Sequence, residues 1–441
     1  MQNKSFDAVV IGSGIGGLCA AARLTSSGMR VLVVEKSPYL GGRCGHRERK
    51  GCLVTSGAMM IPIGPNSAIR QAFDAVGADM DVIDITGRMR YRLAHGDYDL
   101  PPTGGGLYGM IEFAAQDKKD AKNLFQKIQM ALFESMPSDS ITIKDWLAGH
   151  TKNEGIINLF QGFCAALMGT NLHEIPAGEF FHFLKYSSKG SRFGMSNKGN
   201  GSLMNDLAAA IELKGSEVRR RTRCKGILID DGLVNGVEIH NGDGSIERVT
   251  TNTVLSNTGP DITVGLAGGE TNFDSSYLQK LRTNSYEAPI IHVSFIMNRP
   301  LVEDFSGCMV FCNTRNLIYL EIPSTIVDTY SPKGKYLHVA YGAPSDAKNP
   351  NLDDELHNTI NELETNFPGM KESAEFLVKA KHSGAAPGMR RWAGYGMPVS
   401  TSIQGLYNVG DGCAPKGTIG TESAAASARE AVKKILQQQT K

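Results

Sequence analysis

The chain has 441 residues, enough for two or three domain-sized units with a large core. Its 46 lysines and arginines balance 45 acidic residues, so the net charge gives no reason to expect a nucleic acid partner. No apolar run approaches the roughly 18 residues that span a bilayer, and the eight cysteines form no Cys-x-x-Cys pair. We therefore expect a cytoplasmic protein with buried free thiols and no metal. We also expect no signal peptide, because residues 1–5 lead directly into the first apolar run.

The first informative pattern lies near the amino terminus. A short apolar run is followed by Gly-x-Gly-x-x-Gly, then by an Ala-rich segment that predicts a helix, then by a second apolar run that ends on an acid. In this pattern Gly12 permits a tight turn, Gly14 lets a pyrophosphate approach the backbone, and Gly17 lets the helix pack closely on the strand. The helix start offers N–H groups to phosphates, and the acid accepts hydrogen bonds from a ribose. The residues expected to contact a dinucleotide here are Gly12, Gly14, Ile15, Gly16, Gly17, Glu35 and Lys36.

The segment that follows the acid indicates which dinucleotide is bound. A domain that binds only a nicotinamide dinucleotide would continue into a plain helix, whereas here a turn and Gly-Gly-Arg intervene at 41–43. Gly42 allows close backbone approach, and Arg43 offers a fixed fork of donors to a phosphate or a flavin oxygen. A surface loop with an incidental arginine is the alternative.

The carboxyl-terminal part supplies a matching pattern. A short strand ends in Gly410-Asp411, and a glycine-rich turn leads into a helix that opens near Thr421. Asp411 can bind the ribityl chain or the hydrated phosphates, and the helix can direct its dipole at the O2 edge of an isoalloxazine. Two nucleotide patterns at opposite ends of the chain favour FAD held between distant segments. The contacts predicted for these two segments are Gly42, Arg43, Gly410, Asp411, Thr418, Ile419 and Gly420.

On these motifs the chain resembles the FAD-dependent amine oxidase and phytoene desaturase superfamily, and within it the desaturase-like branch. A middle segment over 198–218 is similar to the family's glycine turn and helix, and the resemblance implies a backbone contact from Val218 to adenine. It also implies an α/β fold, with a Rossmann-type FAD-binding domain interleaved with an α+β substrate domain. The FAD-binding domain is then expected over 1–75, 199–261 and 395–441, and the substrate domain over 76–198 and 262–394.

The two long stretches without nucleotide signals differ in pattern. Residues 75–198 are helical in periodicity and rich in Met and Phe, whereas 262–394 alternates as in an antiparallel sheet. Most of these Met and Phe side chains are expected in the core. The alternative is that some of them, such as those of 180–183, line an apolar substrate channel.

Three residues are candidates for the substrate side of the flavin, although no triad or metal spacing identifies a catalytic group. In the family the segment at 390–398 reaches the flavin face, so Trp392 or Tyr395 would lie over the substrate, with ordinary packing as the alternative. Lys416 follows Pro415 where many desaturases have glycine and small residues. An ammonium there would pair with a substrate carboxylate.

These patterns predict an FAD-dependent oxidoreductase that desaturates or saturates a carbon–carbon bond of an apolar or weakly polar small molecule. One alternative is an amine oxidase acting on a C–N bond, for which Trp392 and Tyr395 would form the aromatic cage. A remote alternative is a non-catalytic escort or dissociation-inhibitor protein, which the retained Gly-Gly-Arg segment disfavours. The arginines over 219–223 are expected on the outside of a strand, and at most peripheral membrane contact is the other interpretation.

Overall fold

A computed structural model describes residues 5–102 and 106–439 of the chain. Residues 1–4, 103–105 and 440–441, which belong to the predicted domains, lie outside the described part. The strands are β1 Ala8–Ile11, β2 Val31–Val34, β3 His46–Arg49, β4 Cys52–Thr55, β5 Ile61–Pro62, β6 Val82–Asp84, β7 Met89–Leu93, β8 Gly96–Asp99, β9 Phe193–Ser196, β10 Glu217–Arg219, β11 Arg223–Asp230, β12 Leu233–His240, β13 Ile246–Thr250, β14 Val254–Ser256, β15 Ile290–Met297, β16 Cys308–Phe311, β17 Leu317–Glu321, β18 Tyr336–Gly342, β19 Glu375–His382 and β20 Leu406–Asn408.

The α-helices are α1 Ile15–Ser26, α2 Ala68–Val76, α3 Leu107–Ala115, α4 Lys118–Phe133, α5 Ile143–Ala148, α6 Glu154–Met168, α7 Ala177–Ser187, α8 Asn200–Leu213, α9 Pro260–Leu266, α10 Ser275–Thr283, α11 Leu352–Asn366, α12 Met370–Ser373 and α13 Gly420–Gln439. Short 3-10 turns cover Gly42–Cys44, Glu270–Asn272, Pro323–Thr325, Asp328–Tyr330 and Asp411–Cys413. The helices predicted after the first and middle glycine turns are confirmed as α1 and α8. None of the described helices is both long and apolar enough to cross a bilayer.

A five-stranded sheet in the order β10-β2-β1-β14-β20 forms the centre of the nucleotide-binding part, and every neighbouring pair in it is parallel. Its central strands β1 and β2 are buried along their whole length. Burial on both faces is the reason why they read as continuous apolar runs rather than as alternating ones. Helices α2, α8 and α13 contact α1. This arrangement confirms the predicted α/β class.

A seven-stranded sheet dominates the second part, in the order β19-β15-β18-β17-β16-β7-β8, and it is antiparallel except between β16 and β7. Alternate side chains of its strands pack on two different cores. Phe295 and Leu320 lie on the face that α11 covers. Tyr319, Val339 and Tyr341 lie on the opposite, inner face. The alternation predicted for this stretch is therefore confirmed.

Helices α3 to α7 form the Phe-rich core that the sequence predicts for the first stretch. Phe160, Phe180 and Phe181 are at most 2 % exposed, and the rings of Phe180 and Phe181 pack edge to face at 5.5 Å. These two aromatic side chains pack inside a helical core, which supports the core interpretation rather than a channel wall. All eight cysteines are buried free thiols, as predicted.

The strands of the parallel sheet all come from the three segments expected to bind FAD, and those of the seven-stranded sheet from the two expected to bind substrate. The packing differs at one boundary. Tyr277 and Leu281 of α10 lie in the same core as the parallel sheet, although the sequence assigns them to the substrate domain. The two-domain division stays a prediction, and we draw its boundary after α10 instead of at 261.

Candidate functional site

The carboxyl end of β1 and the start of α1 form a cradle made of backbone. Gly12 turns the chain with a φ of +96°, and Gly14, the residue before the helix, supplies no side-chain cap to the first turn. The N–H groups of that turn have no partner within the helix, and the positive end of the helix dipole points the same way. A Cβ at Gly14 or Gly16 would lie 2.7 Å from the amide of Asn257, so a side chain at either position would collide with it. The cradle therefore admits a ligand such as a diphosphate only because it consists of glycines.

Asn257, which the sequence analysis missed, closes this cradle. It follows β14, and its backbone N–H donates to Ile11 O at 2.8 Å. Its side-chain oxygen also lies 2.7 Å from where a Cβ of Gly410 would be. The available signal was a polar residue placed directly after a buried strand, since the carboxyl ends of parallel strands meet at one edge of a sheet.

Glu35 lies where β2 ends and is 8 % exposed. Its Oε2 accepts hydrogen bonds from the backbone N–H of Ser13 at 3.0 Å and from the Ser13 hydroxyl at 2.8 Å, and its Oε1 accepts one from the Ser37 N–H at 2.8 Å. These bonds fix the carboxylate beside the cradle. Val218 lies in β10, the strand paired with β2, while the Lys36 side chain is exposed.

We expect Glu35→Ala to lower FAD affinity about ten- to a hundredfold while the fold persists, because a buried polar partner is worth about 1–3 kcal/mol. The measurement is titration of the apoprotein with FAD, followed by flavin fluorescence. The exposed Asp79 provides a control, and Asp79→Ala should bind FAD as the wild type does. Unchanged affinity in Glu35→Ala would remove Glu35 from the FAD site.

Arg43 and Asp411, predicted from opposite ends of the chain, form a bidentate ion pair. The Arg43 guanidinium donates to Asp411 Oδ2 at 2.8 Å and to Oδ1 at 2.5 Å, and it also donates to the Gly388 carbonyl at 2.8 Å. The Arg390 N–H donates to the same carboxylate at 2.9 Å. Burial by itself would raise the pKa of Asp411, but the charge and hydrogen bonds of Arg43 hold it below its usual range. The two residues predicted as separate cofactor contacts thus act as one charged unit.

The carboxyl-terminal turn completes the arrangement. Gly410, with a φ of +106°, donates its N–H to the Ser427 hydroxyl at 2.8 Å, and α13 begins at Gly420. The Thr418 hydroxyl donates to Pro415 O at 2.6 Å, and Ile419 packs on the helical core. Backbone glycines, the acid after β2 and the start of α13 together make a donor and acceptor set that fits a flavin dinucleotide.

Comparison with known proteins agrees with this geometry. A family model described as flavin containing amine oxidoreductase matches residues 15–436. The chain belongs to this family. Prolycopene isomerase from Arabidopsis thaliana is 26% identical, over 93% of this chain and 79% of that protein. Phytoene desaturase from Cercospora nicotianae is 25% identical, over 58% of this chain and 45% of that protein. The crystal structure of an oxidoreductase from Methanosarcina mazei superposes with a TM-score of 0.84 at 25% identity, covering 97% of this chain and 99% of that one.

The chain is therefore an FAD-dependent oxidoreductase, as the sequence predicts. FAD, when bound, supplies a hydride acceptor at N5 of its ring. The chain's own contribution at this site is to bind and orient. The glycine cradle would hold the diphosphate, Glu35 the ribose, and the Arg43–Asp411 pair the part of the cofactor between the two ends of the chain.

Lys416 does not present a free ammonium in this structure. Its Nζ pairs with the Asp139 carboxylate, and its side chain is 58 % exposed. The interpretation that Lys416 receives a substrate carboxylate is therefore not supported. The neighbouring Gly417 packs closely on α7: its N–H donates to Glu179, and a Cβ on it would lie 2.6 Å from His182 O.

Trp392 and Tyr395 pack on each other and on Tyr286, which the sequence analysis missed. The Trp392 ring stacks on Tyr286 at 4.7 Å and meets Tyr395 edge to face at 5.8 Å, with an interplanar angle of 86°. The indole N–H donates to Glu287 O at 2.8 Å. Two rings at right angles in contact are not a pair between which an amine could enter. The arrangement thus favours the packing interpretation.

The arginines over 219–223 make polar contacts with neighbouring side chains. Arg219 pairs with Glu217 at 2.7 Å and with Glu247 at 2.9 Å, and Arg220 donates to Asn205 at 3.0 Å. Only Arg219 and Arg223 lie in strands, β10 and β11, whereas Arg220 and Arg221 lie in the turn between them, so the expected strand covers part of the cluster. Because acidic neighbours balance Arg219, these contacts favour ordinary structural arginines over a surface for anionic lipids.

Glu179 of α7 is a third residue that sequence reasoning missed. It is 2 % exposed, its Oε1 accepts the Gly417 N–H at 2.8 Å, and its Oε2 is buried without a hydrogen-bond partner among the described residues. Burial raises its pKa to about 7, and Asp139 adds to this, whereas the Gly417 bond and Lys416 oppose it. The carboxyl thus titrates near neutral pH. It is bonded to Gly417, the residue that precedes Thr418.

We expect the unfolding free energy to fall as pH rises from about 4.5 to about 7, because over this range the unfolded Glu179 ionises and the folded one does not. The contribution of Glu179 has an upper bound of roughly 3 kcal/mol, since one pKa unit corresponds to about 1.4 kcal/mol. Urea unfolding at a series of pH values measures it. Glu179→Gln should make this fall in stability smaller, whereas Glu270→Gln, at an exposed site, should leave it unchanged. A profile unchanged in Glu179→Gln would contradict the raised pKa.

Proposed function

We propose that this FAD-dependent oxidoreductase introduces or removes a carbon–carbon double bond in an apolar or weakly polar small molecule. The observation that carries the proposal is the surface beside the Arg43–Asp411 pair. The loop Gly57–Met60 contacts the backbone of Arg43, since the Ala58 N–H donates to Arg43 O at 3.2 Å. Met59 and Met60 of this loop pack in a core with Ala165 and Met195. Flexible thioethers and small side chains suit an apolar molecule of irregular shape.

The proposed reaction transfers two electrons. In the desaturating direction the substrate would lose a hydride from one carbon and a proton from the adjacent carbon as the C=C bond forms. FAD held by the glycine cradle, Glu35 and the Arg43–Asp411 pair would supply the hydride acceptor, and saturation would be the reverse. The chain would orient the substrate between its apolar surface and the flavin and exclude water. The similarity to proteins named prolycopene isomerase and phytoene desaturase supports a substrate with conjugated or isolated double bonds.

Amine oxidation at a C–N bond is the second candidate, because the matching family model is described as flavin containing amine oxidoreductase. The same scaffold would then take a hydride from a carbon next to nitrogen. The contact between Trp392 and Tyr395 argues against an aromatic cage formed by these two rings. The retained glycine cradle and Arg43 argue against a non-catalytic escort protein.

The test is anaerobic rapid mixing of the purified, FAD-loaded protein with three panels: isoprenoid hydrocarbons, unsaturated and saturated carboxylic acids, and simple amines. Bleaching of the oxidised flavin band by hydrocarbons or acids, or reoxidation of photoreduced flavin by polyenes, is the expected result. The protein should be yellow, and acid should release its FAD, because no residue is marked for covalent attachment. Fast bleaching by amines with no response to the other panels would establish amine oxidation instead.

A further inference from the structure

A row of polar side chains crosses the otherwise apolar inner face of the seven-stranded sheet. His292 on β15 lies opposite Tyr341 on β18, which lies opposite Tyr319 on β17. Glu321 lies two residues beyond Tyr319 on the same strand, opposite Cys308 on β16. We call His292, Tyr341, Tyr319 and Glu321 the polar row. Its members therefore occupy adjacent positions on three neighbouring strands.

The members of the polar row contact one another and are buried. The His292 and Tyr341 rings stack at 5.1 Å, and the Tyr319 and Tyr341 rings lie 5.9 Å apart. The Tyr319 hydroxyl donates to Glu321 Oε2 at 2.6 Å and lies 3.0 Å from Cys308 Sγ. Glu321 has no exposed surface at all. Burying these polar groups costs free energy unless each of them finds a hydrogen-bond partner, so any atom of the row without one needs an explanation.

The polar row lies against the loop Gly57–Met60, which contacts Arg43. The Tyr341 hydroxyl donates to Gly57 O, and Gly57 packs on the Arg43 carbonyl, where a Cβ would lie 2.6 Å from the oxygen. Near the other end of the row, Cys308 Sγ lies 3.4 Å from Met60 Sδ. The row is thus the buried polar part of the region in which the proposed function places the substrate.

One atom of the row has no partner. Oε1 of Glu321 is buried and makes no hydrogen bond to any described residue. Burial raises the pKa of this carboxyl to about 7, against the hydrogen bond that Tyr319 donates to it. The other ionisable groups around it, Tyr319, Cys308, Tyr341 and Tyr330, have pKa values raised by burial, so they are neutral when Glu321 titrates. An unpaired buried carboxyl oxygen calls for a ligand atom that can bond to it.

We propose that Oε1 of Glu321 binds a hydroxyl group of the substrate, which would make the substrate an apolar molecule that carries an alcohol. This inference rests on the proposed function for the position of the substrate. A hydroxyl both donates and accepts, so it bonds to Glu321 whether the carboxyl is ionised or protonated. A ketone bonds only to the protonated form, and an ammonium only to the ionised form. A pure hydrocarbon leaves Oε1 unpaired.

The experiment titrates the FAD-loaded protein with cyclohexanol, methylcyclohexane and cyclohexylamine and follows the visible flavin spectrum for a shift without bleaching. Cyclohexanol should bind about three- to thirtyfold more tightly than methylcyclohexane, which has the same size, because it adds one buried hydrogen bond. Glu321→Met should abolish this preference, and Glu321→Gln, which keeps a polar atom, should retain part of it. Glu355→Gln, at a buried glutamate of α11 on the opposite face of the sheet, should leave the preference unchanged.

Equal affinities of the wild type for cyclohexanol and methylcyclohexane would overturn the inference and indicate that a water satisfies Oε1. If Glu321→Met fails to retain FAD, the wild type alone tests the inference. Its preference for cyclohexanol should persist between pH 6 and pH 8, and its affinity for cyclohexylamine should rise over the same range. Loss of the cyclohexanol preference on crossing pH 7 would contradict the inference. Flavin bleaching tests the proposed function separately. Oxidation of hydrocarbons without a preference for alcohols would contradict this inference alone. Binding of alcohols without carbon–carbon oxidation would contradict the proposed function alone.

Discussion

Gly17→Ala should yield little or no folded protein that contains FAD. A Cβ at this position would lie 2.0 Å from the carbonyl oxygen of Gly12 and 3.2 Å from a methyl group of Val10. The first neighbour is backbone, so relief requires α1 to move off β1, and this movement would open the cradle that holds the diphosphate. The higher helix propensity of alanine, about 1 kcal/mol, is too small to offset that displacement. Soluble yield and the ratio of flavin to protein absorbance measure the effect.

Gly265 provides the control for this substitution. It lies inside α9, and a Cβ on it would meet no atom of the described residues within 4 Å. Gly265→Ala should therefore keep full FAD content and stabilise the protein by up to about 1 kcal/mol. A Gly17→Ala protein with normal FAD content would show that α1 does not pack on β1 as closely as the structure has it.

The nucleotide-binding half of the fold could be predicted from the sequence because local backbone geometry determines its motifs. Gly12 and Gly17 are required by a turn and a close helix–strand contact, and both lie within one continuous segment. The buried strands β1 and β2 can be recognised in the sequence as apolar runs. The ladder that places β14 and β20 beside them could be inferred only by resemblance, since it joins segments far apart in the chain.

The site was harder to predict where it depends on contacts between distant segments. The sequence indicates Arg43 and Asp411 separately, but nothing local shows that their side chains pair with each other. Glu179 and Glu321 belong to no sequence motif, and burial in the fold is the main cause of their raised pKa values. The pairing of Lys416 with Asp139 could not be foreseen for the same reason, because Asp139 comes from a different part of the chain.

Asp411→Ala should lower both the unfolding free energy and the FAD content. The substitution leaves the Arg43 guanidinium with the Gly388 carbonyl but without a counter-charge. Breaking a buried ion pair costs about 3–5 kcal/mol. The Arg43 side chain is 35% exposed, so solvent screening reduces the expected loss to about 1–3 kcal/mol. Urea unfolding and FAD titration give the two quantities.

A double-mutant cycle separates the pair from its members. Arg43→Met combined with Asp411→Leu should cost less than the sum of the two single substitutions, because the double variant leaves no unpaired charge. The pair between Arg282 and Glu270 is the control, since both side chains are more than half exposed and Glu270→Ala should have little effect on stability. Additive losses at Arg43 and Asp411 would mean that the two side chains act independently.

The pH dependence of the Asp411→Ala defect tests the same pair without a second substitution. The pKa of Asp411 is lowered in the folded protein, so the unfolded state takes up a proton first as the pH falls. The stability that the pair provides is therefore fully present above the unfolded-state pKa of about 4 and is lost as the pH falls through the lower folded-state pKa. Wild type and Asp411→Ala should differ by a constant amount from pH 5 to pH 8 and converge only in more acidic solution. Convergence near neutral pH would show that the Asp411 carboxyl is already protonated there and that Arg43 lacks the counter-charge on which the site depends.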